Sequence, residues 1–243
     1  MISIFKILLA ITKEDFFMSF FATPIVDEWG DTTYQLTVAG YTALIIAMLA
    51  VLLIGCAIFG GKKKFSTKQL AFSAMAIALA MVTSMIKLIH MPMGGSVTLF
   101  SMLFIVLIGY WYGLGAGLTT AIAYGILQLI VDPYILSVPQ MLVDYVFAFG
   151  ALGLAGIFWK NKSRYSLILC YLAGVLGRYF FAFLSGWIFF GTYAGYYGFS
   201  NGAVYSLAYN GAYLGLEALI TLVLIALPPV NKALAYVKTI AQK

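Results

Sequence analysis

The sequence predicts an all-α membrane protein whose helices cross the bilayer several times. Of its 243 residues, 63% are hydrophobic and only 9% are charged, which is far more apolar than a soluble domain. The apolar residues form long continuous runs suited to spanning helices, with no short alternating strands. The predicted spans are Leu36–Phe59, Leu70–Ile89, Val97–Trp111, Leu114–Val131, Met141–Phe158, Leu167–Phe190 and Tyr205–Leu227.

Basic residues indicate which ends of these spans face the cytoplasm, because short cytoplasmic loops carry an excess of lysine and arginine. Most of the 14 basic residues fall on one face if the seven spans alternate: Lys62, Lys63, Lys64, Lys68, Lys160, Lys162, Arg164, Lys232, Lys238 and Lys243. The opposite face receives Asp27, Glu28, Asp31 and Asp132. We therefore expect a multi-pass protein of the cell membrane with its amino terminus outside and its carboxyl terminus in the cytoplasm. The net charge of +6 is then a topology signal and implies no nucleic-acid partner.

The chain divides into two units on this interpretation. Residues 1–61 hold one span and most of the acidic charge, and a glycine and lysine run, Gly60–Lys64, forms the joint. The sequence therefore predicts an amino-terminal extension with one extra transmembrane helix, followed by a six-helix membrane domain over residues 62–243.

Small residues recur at one-turn spacing on the second span. Ala74 and Ala78 form one such pair, and Ala76 and Ala80 form another. This spacing lets helices approach closely, and it fits either packing within the subunit or docking of a partner membrane protein.

Asp144 is the charged residue of the otherwise apolar span Met141–Phe158. An ionisable group at membrane depth costs several kcal/mol, so such a residue usually binds a cation, pairs with another charge or relays a proton. Pairing with Arg178 on the next span is the structural alternative, since opposite charges offset part of each other's desolvation.

Further polar residues gather toward the outer ends of the spans. Gln140 lies one turn before Asp144 on the same helix face, and Asn210, Tyr213 and Glu217 share a face of the last span. Glu217 fits a structural hydrogen-bond partner as well as a ligand contact. A carboxylate together with aromatic rings and amides suits a small, flat, cationic or amphipathic ligand.

Catalytic and metal-binding signatures are sparse. His90 is the single histidine, so no histidine pair for a metal exists, and no metal or other cofactor is expected. The glycines before Lys62 do not form a phosphate loop, because Gly61 stands where that motif needs its lysine. We therefore expect no ATP binding by this device.

Short motifs spread over residues 68–228 together resemble the thiamine-specific substrate-binding subunit of bacterial energy-coupling factor transporters. The motifs are Pro92–Leu99, Tyr124–Gln128, Pro133–Tyr134, Pro139–Gln140, Leu142–Tyr145, Ala148–Phe149, Leu152–Gly156, Gly177–Arg178, Ser185–Gly186, Phe189–Phe190 and Tyr205–Gly211. The resemblance implies a six-helix bundle that binds thiamine near the outer surface. It also implies partners, namely two cytoplasmic ATPases and a transmembrane coupling protein.

By motif position, the resemblance implies that Asp144 faces the cationic thiamine and that Tyr134 and Tyr145 lie beside it. The other implied pocket residues are Arg178, Gly186, Phe190, Tyr205 and Asn210, with Gly95 in an outer loop that closes over the ligand. The same resemblance implies that Ala74 and Ala78 contact the coupling protein.

The chain departs from this family at several positions. Ala182 stands where histidine is common, and Gly95 and Phe190 stand where some members have tryptophan. Another heterocyclic vitamin, of the pyrimidine or B6 type, or a thiamine precursor is therefore an alternative ligand. Two other classes are a membrane enzyme using Asp144, Arg178 and Glu217, and a scaffold whose polar residues serve only packing.

Overall fold

The computed structural model describes residues 19–26, 32–43, 46, 50 and 66–243. The main helices are α1 (Thr67–Ser84), α2 (Ser101–Tyr112), α3 (Leu114–Val131), α4 (Val138–Phe158), α5 (Ser166–Phe189), α6 (Gly202–Ala226) and α7 (Pro228–Gln242). Two antiparallel hairpins pair β1 (Ala22–Val26) with β2 (Thr32–Leu36) and β3 (Lys87–His90) with β4 (Ser96–Thr98). The predicted all-helical membrane fold class is confirmed, with the hairpins as small additions.

Four of these helices, α3 to α6, are long and apolar enough to cross a membrane. The predicted span Leu114–Val131 coincides with α3, and the predicted ends of α4, α5 and α6 lie within three residues of the observed ones. In lipid, a continuous apolar run of this length satisfies its backbone hydrogen bonds by forming a helix. The sequence therefore predicted the positions of these four helices well.

Two predicted spans extend beyond the helices that the structure contains. The run Leu70–Ile89 ends as a helix at Ser84, because Lys87–His90 leaves the bundle as strand β3. The run Val97–Trp111 begins with strand β4, and helix α2 starts only at Ser101. Both predictions were wrong at these ends because a hairpin of apolar residues has no signature in hydropathy alone.

The predicted extra helix Leu36–Phe59 and the joint near residue 61 lie largely outside the described residues. Of that run, Leu36 ends strand β2 and residues 38–43 are helical. Leu36 packs against an apolar cluster that contains Leu129 and Ile135. The division into residues 1–61 and 62–243 stays a prediction.

Helix α2 forms the centre of the bundle. It has only 12 residues, and nearly all of them are buried, including Met102, Ile105 and Ile108, which are fully inaccessible. A helix that is apolar on every side is stable only when neighbours surround it, and α1, α3, α5 and the second half of α4 do so here. Gly113 then separates α2 from α3 by one residue with φ +93°, a conformation that favours glycine.

Glycines bring α3 and α4 into direct backbone contact. A Cβ atom at Gly153 would overlap the backbone of Gly117 and Leu118, and one at Gly125 would overlap the carbonyl of Tyr145. In lipid, no hydrophobic force drives helices together. Van der Waals packing between closely spaced backbones stabilises the contact instead. The contact fixes where the amino end of α4 lies.

Gly153→Ala should therefore destabilise the protein. The added methyl group has no free space, and overpacking costs about 1–3 kcal/mol in well-packed interiors. We expect a lower midpoint of thermal unfolding, measured by tryptophan fluorescence in detergent.

Gly215→Ala on α6 is the matched control, because a Cβ atom there meets nothing within 4 Å. Its midpoint should be unchanged or slightly raised, since alanine is the better helix former. Equal shifts in the two variants would contradict the proposed backbone contact.

Candidate functional site

A cavity of about 150 Å³ lies at one end of the bundle. Its wall is formed by the carboxyl end of α3, the amino end of α4, the second half of α5, the first half of α6 and the β3–β4 hairpin. All nine residues predicted to bind substrate line it: Gly95, Tyr134, Asp144, Tyr145, Arg178, Gly186, Phe190, Tyr205 and Asn210. We call it the aromatic cavity. Contact of these residues with a ligand stays a prediction.

Asp144 lies where α4 departs from regular α-helical geometry. Residues Leu142–Ala148 form a π-helical segment between an α-helical first turn and a 3₁₀ segment. Such widened turns occur frequently at functional sites. The Asp144 carboxylate is half-buried and accepts a hydrogen bond of 2.6 Å from Gln140 Nε2.

Arg178 does not form an ion pair with Asp144. Its guanidinium carbon lies 4.0 Å from the centre of the Phe149 ring, in cation–π geometry. Among the described residues, the ion pair present joins Lys87 Nζ to Asp132 Oδ2 at 2.6 Å, beside the cavity. The direct ion pair between Asp144 and Arg178 that the sequence left open is therefore not formed in the structure. No described basic side chain lies within ion-pair distance of Asp144, and the charge of Arg178 acts on it only at longer range.

Two side chains of α4 hold the loop before it. The buried amide of Gln140 donates to the Tyr134 carbonyl at 3.1 Å and accepts from the Leu136 N–H at 3.0 Å. The Tyr145 hydroxyl accepts from the Tyr134 N–H at 2.8 Å and donates to the Asp132 carbonyl at 3.0 Å. These bonds place the Tyr134 ring at the cavity, with its centre 5.9 Å from that of Phe190.

Asn210 is held from both ends of its amide. Its Nδ2 donates to the Ser206 carbonyl at 3.0 Å, and its Oδ1 accepts from the Tyr213 hydroxyl at 3.0 Å. Gly186 of α5 faces it so closely that a Cβ atom would lie 2.8 Å from Asn210 Nδ2. The absence of a side chain at Gly186 therefore lets α5 and α6 meet at this level of the cavity.

Glu217 acts as a structural acceptor, and it also lines the aromatic cavity, so a ligand contact for it stays a prediction. It is 3% exposed and accepts hydrogen bonds from Thr98 N at 2.9 Å and Thr98 Oγ1 at 2.7 Å. Longer bonds come from Ser101 Oγ at 3.3 Å and Met102 N at 3.4 Å. A carboxylate at the amino end of α2 satisfies donors that a helix leaves open and is favoured by the helix dipole. Glu217 thus fixes the start of α2 against α6.

The turn of the β3–β4 hairpin lies against α6. Met93 and Gly94 both have positive φ, at +61° and +87°, in this turn. The Tyr209 hydroxyl accepts from the Gly95 N–H at 3.1 Å and donates to the Pro92 carbonyl. The Tyr205 hydroxyl lies 3.3 Å from the Met93 sulfur. We call residues 92–95 the lid segment, because it lies along the cavity and two tyrosines attach it to α6.

Comparison with known families matches residues 70–236 to a family described as thiamine transporter protein. The match covers more than half of the chain. The chain belongs to this thiamine transporter family.

Two relatives support the assignment to the thiamine transporter family. Thiamine transporter ThiT of Bacillus subtilis (strain 168) is 34% identical over 157 residues, which are 58% of this chain and 78% of that protein. A solved structure of ThiT from Listeria monocytogenes has a TM-score of 0.54 and 25% identity, covering 67% of this chain and 96% of its own. The family predicted from the sequence motifs is thus confirmed.

Membership of the thiamine transporter family assigns this chain to transport, as the sequence predicted, and agrees with a multi-pass membrane protein. The family match contains all nine residues of the predicted pocket and both Ala74 and Ala78. Residues 1–69 precede it.

Sequence reasoning missed several residues of the aromatic cavity. Tyr209 follows Tyr205 by one turn and precedes Tyr213 by another, and neighbouring ring centres along this row are 5.7 Å apart. That spacing alone could have indicated a continuous aromatic face. Gln128 was also missed as a wall residue, and its Nε2 donates to Ser84 Oγ at 2.7 Å. Its partner lies 44 positions away, which no local pattern shows.

Tyr209→Phe should release the lid segment. The variant removes the hydroxyl that holds the Gly95 N–H and the Pro92 carbonyl while keeping the ring. We expect faster hydrogen exchange at residues 92–98, measured by mass spectrometry, with little change elsewhere on α6.

Tyr196→Phe is its control, because Tyr196 is 87% exposed and outside the cavity wall. It should leave exchange at the lid segment unchanged. If residues 92–98 remain protected from hydrogen exchange in Tyr209→Phe, the Tyr209 hydroxyl does not hold the lid segment.

Proposed function

We propose that this chain is the thiamine-binding subunit of an energy-coupling factor transporter, and that it binds the vitamin in the aromatic cavity. The observation that carries the proposal is Asp144. It is a half-buried carboxylate on a cavity wall, among apolar helices, with no described basic side chain within ion-pair distance. A ligand with a fixed positive charge supplies what this carboxylate lacks.

Aromatic rings around Asp144 suit the flat rings of thiamine. Tyr134 and Phe190 lie close together with an interplanar angle of 32°, and Tyr145 stacks on Phe149 with centres 6.2 Å apart. Aromatic faces attract cations and also stack on heterocycles. The thiazolium ring would therefore lie near Asp144, between ring faces rather than against lipid.

Further polar groups in the wall of the aromatic cavity suit the pyrimidine ring. Asn210 Oδ1 receives one hydrogen bond within the protein and has a second lone pair to offer an amino group. Arg178 brings fixed donors to the same cavity. Ala182 leaves room in the cavity wall, since it carries no long side chain.

The lid segment would retain the ligand. Gly95 lies in that segment, and Tyr205 and Tyr209 attach the segment to α6 beside the aromatic cavity. Release of these attachments would open a path to the outside.

The membrane orientation is part of the proposal. The aromatic cavity faces the outside, the amino terminus is outside and the carboxyl terminus is in the bacterial cytoplasm. Support comes from the basic loop Lys160–Arg164 and from α7, which both lie at the end of the bundle away from the cavity.

Uptake in this proposal depends on two cytoplasmic ATPases and a transmembrane coupling protein. The loaded subunit docks on the coupling protein, and ATP hydrolysis by the partners drives release of thiamine inside. The two alanine pairs of α1 differ in exposure: Ala76 and Ala80 are buried in the bundle, whereas Ala74 and Ala78 are exposed. The exposed pair supports docking through this face of α1.

Asp144→Asn should weaken thiamine binding about 30-fold or more, because truncating one partner of a buried charge pair costs about 2 kcal/mol or more. Isothermal titration calorimetry on the purified protein measures this change. The uncharged pyrimidine half of thiamine should lose little affinity in the same variant, since it carries no thiazolium.

Asp132→Asn is the matched control, since it removes the same charge from an exposed ion pair at the rim. Surface ion pairs contribute about 1 kcal/mol or less, so thiamine affinity should fall at most several-fold. Equal losses for thiamine and its pyrimidine half in Asp144→Asn would refute the counter-charge role. Preference for another heterocyclic vitamin in the same titrations would favour the alternative ligand.

Ala74→Trp should block thiamine uptake by cells and leave thiamine binding by the purified protein intact. The bulky ring would hold α1 away from a partner helix without entering the aromatic cavity. Uptake of radiolabelled thiamine and calorimetry give the two measurements.

Ala212→Trp on α6 is the control, because Ala212 is also an exposed helical alanine but lies on a different helix. It should support normal uptake. Normal uptake by Ala74→Trp as well would defeat the docking proposal.

A further inference from the structure

A second cavity lies at the opposite end of the bundle. It has a volume of about 590 Å³ and is formed by the ends of α2 and α4, the loop between α4 and α5, and helix α7. Helix α5 connects the two ends, with Ser166 at this cavity and Gly186 at the aromatic cavity. Twenty helical residues span about 30 Å, which is the thickness of a hydrocarbon core. We call this second site the basic cavity.

Cations dominate the wall of the basic cavity. Lys160, Lys162, Arg164 and Lys238 line it, and no described aspartate or glutamate does. The described acids Asp132, Asp144 and Glu217 all belong to the opposite end, at the aromatic cavity. The basic cavity therefore presents a concentrated positive charge that nothing in the described chain neutralises.

Two contacts hold the side chain of Lys238 in place at the basic cavity. Its Nζ donates to the Trp159 carbonyl at 2.9 Å and lies 3.8 Å from the centre of the Tyr110 ring. Burial lowers the pKa of Lys238, because desolvation disfavours the charged amine. An anion in the cavity would offset that cost.

Ser166 provides an independent sign of a ligand. It is 3% exposed and lines the cavity, and its hydroxyl has no nitrogen or oxygen partner among the described residues, only the weakly hydrogen-bonding thiol of Cys170 one turn further on. A buried hydroxyl without a strong partner is costly, so a stronger partner is expected to come from a bound molecule. Ser166 is also the first residue of α5, whose amino end has no side-chain cap. The N–H groups of Ser166 and Leu169 already donate to the carbonyls of Ser163 and Tyr165, so the N–H groups between them are the ones that would favour an anion.

We propose that the basic cavity binds a phosphate group, with the Ser166 hydroxyl, the start of α5 and the surrounding lysines as its donors. Two sources share this chemistry: the headgroup of an anionic phospholipid in the adjacent leaflet, and a soluble phosphate. Clustered lysine and arginine residues next to spanning helices attract anionic headgroups, with about fivefold in affinity for each charge. The ammonium of Lys238 and the exposed side chains of Lys160 and Lys162 border the opening through which either would enter.

The full chain, purified in mild detergent, tests this proposal. Native mass spectrometry measures retention of phosphatidylglycerol against zwitterionic phosphatidylcholine, and calorimetry measures binding of inorganic phosphate. Saturable, preferential retention of phosphatidylglycerol that inorganic phosphate does not displace supports the lipid source. Saturable binding of inorganic phosphate supports the soluble source.

Three variants separate a built site from general attraction by charge. Lys162→Gln should lower the affinity for whichever probe binds, phosphatidylglycerol or inorganic phosphate, about fivefold. Ser166→Ala keeps every charge. It should lower the same affinity about tenfold, since a hydrogen bond to a charged group is lost. Lys232→Gln removes one charge from the exposed surface of α7, outside the cavity, and should have little effect.

Thermal unfolding and thiamine binding serve as folding controls in the same preparations, and both should be unchanged in Ser166→Ala. The proposal is overturned if neither probe binds saturably. It is also overturned if Ser166→Ala retains full affinity, or if Lys232→Gln loses as much affinity as Lys162→Gln.

Discussion

The structure depends on the requirement that polar groups placed among apolar helices find partners within the protein. Glu217 meets it with donors from Thr98 and the start of α2, and Asn210 meets it with Ser206 and Tyr213. Asp144 meets it only in part, through the amide of Gln140. This difference is the reason that the proposed function assigns the ligand's counter-charge to Asp144.

Close helix contacts set the geometry in which that charge is presented. Gly125 and Gly153 allow α4 to touch the backbone of α3, and Gly186 allows α5 to meet α6 at Asn210. Small residues at these positions let the helices lie close together. Where the side chains are larger, the helices are farther apart and the cavity lies between them. Rings such as Tyr134 and Phe190 then line the space. The helix contacts and the lining of the aromatic cavity therefore depend on the same helices.

The two ends of the bundle carry opposite chemistry. The described carboxylates surround the aromatic cavity, whereas Lys160, Lys162, Arg164 and Lys238 surround the basic cavity. If the two proposals hold, a cationic vitamin binds at the first end and an anionic group at the second, and neither end competes for the other's ligand.

The sequence by itself determined the helical membrane class, the ends of α3 to α6 and the family, because long apolar runs and short motifs are local properties of the chain. It also indicated Asp144, since a charge inside an apolar run stands out without any structure. Only the tertiary structure decided that Arg178 lies over Phe149 and that Glu217 anchors α2. It alone showed the β3–β4 hairpin inside apolar sequence and the basic cavity formed with α7. Apart from the hairpin, whose strands are neighbours in the chain, each of these features depends on residues far apart in sequence. No periodicity in a sequence displays the spatial meeting of such residues.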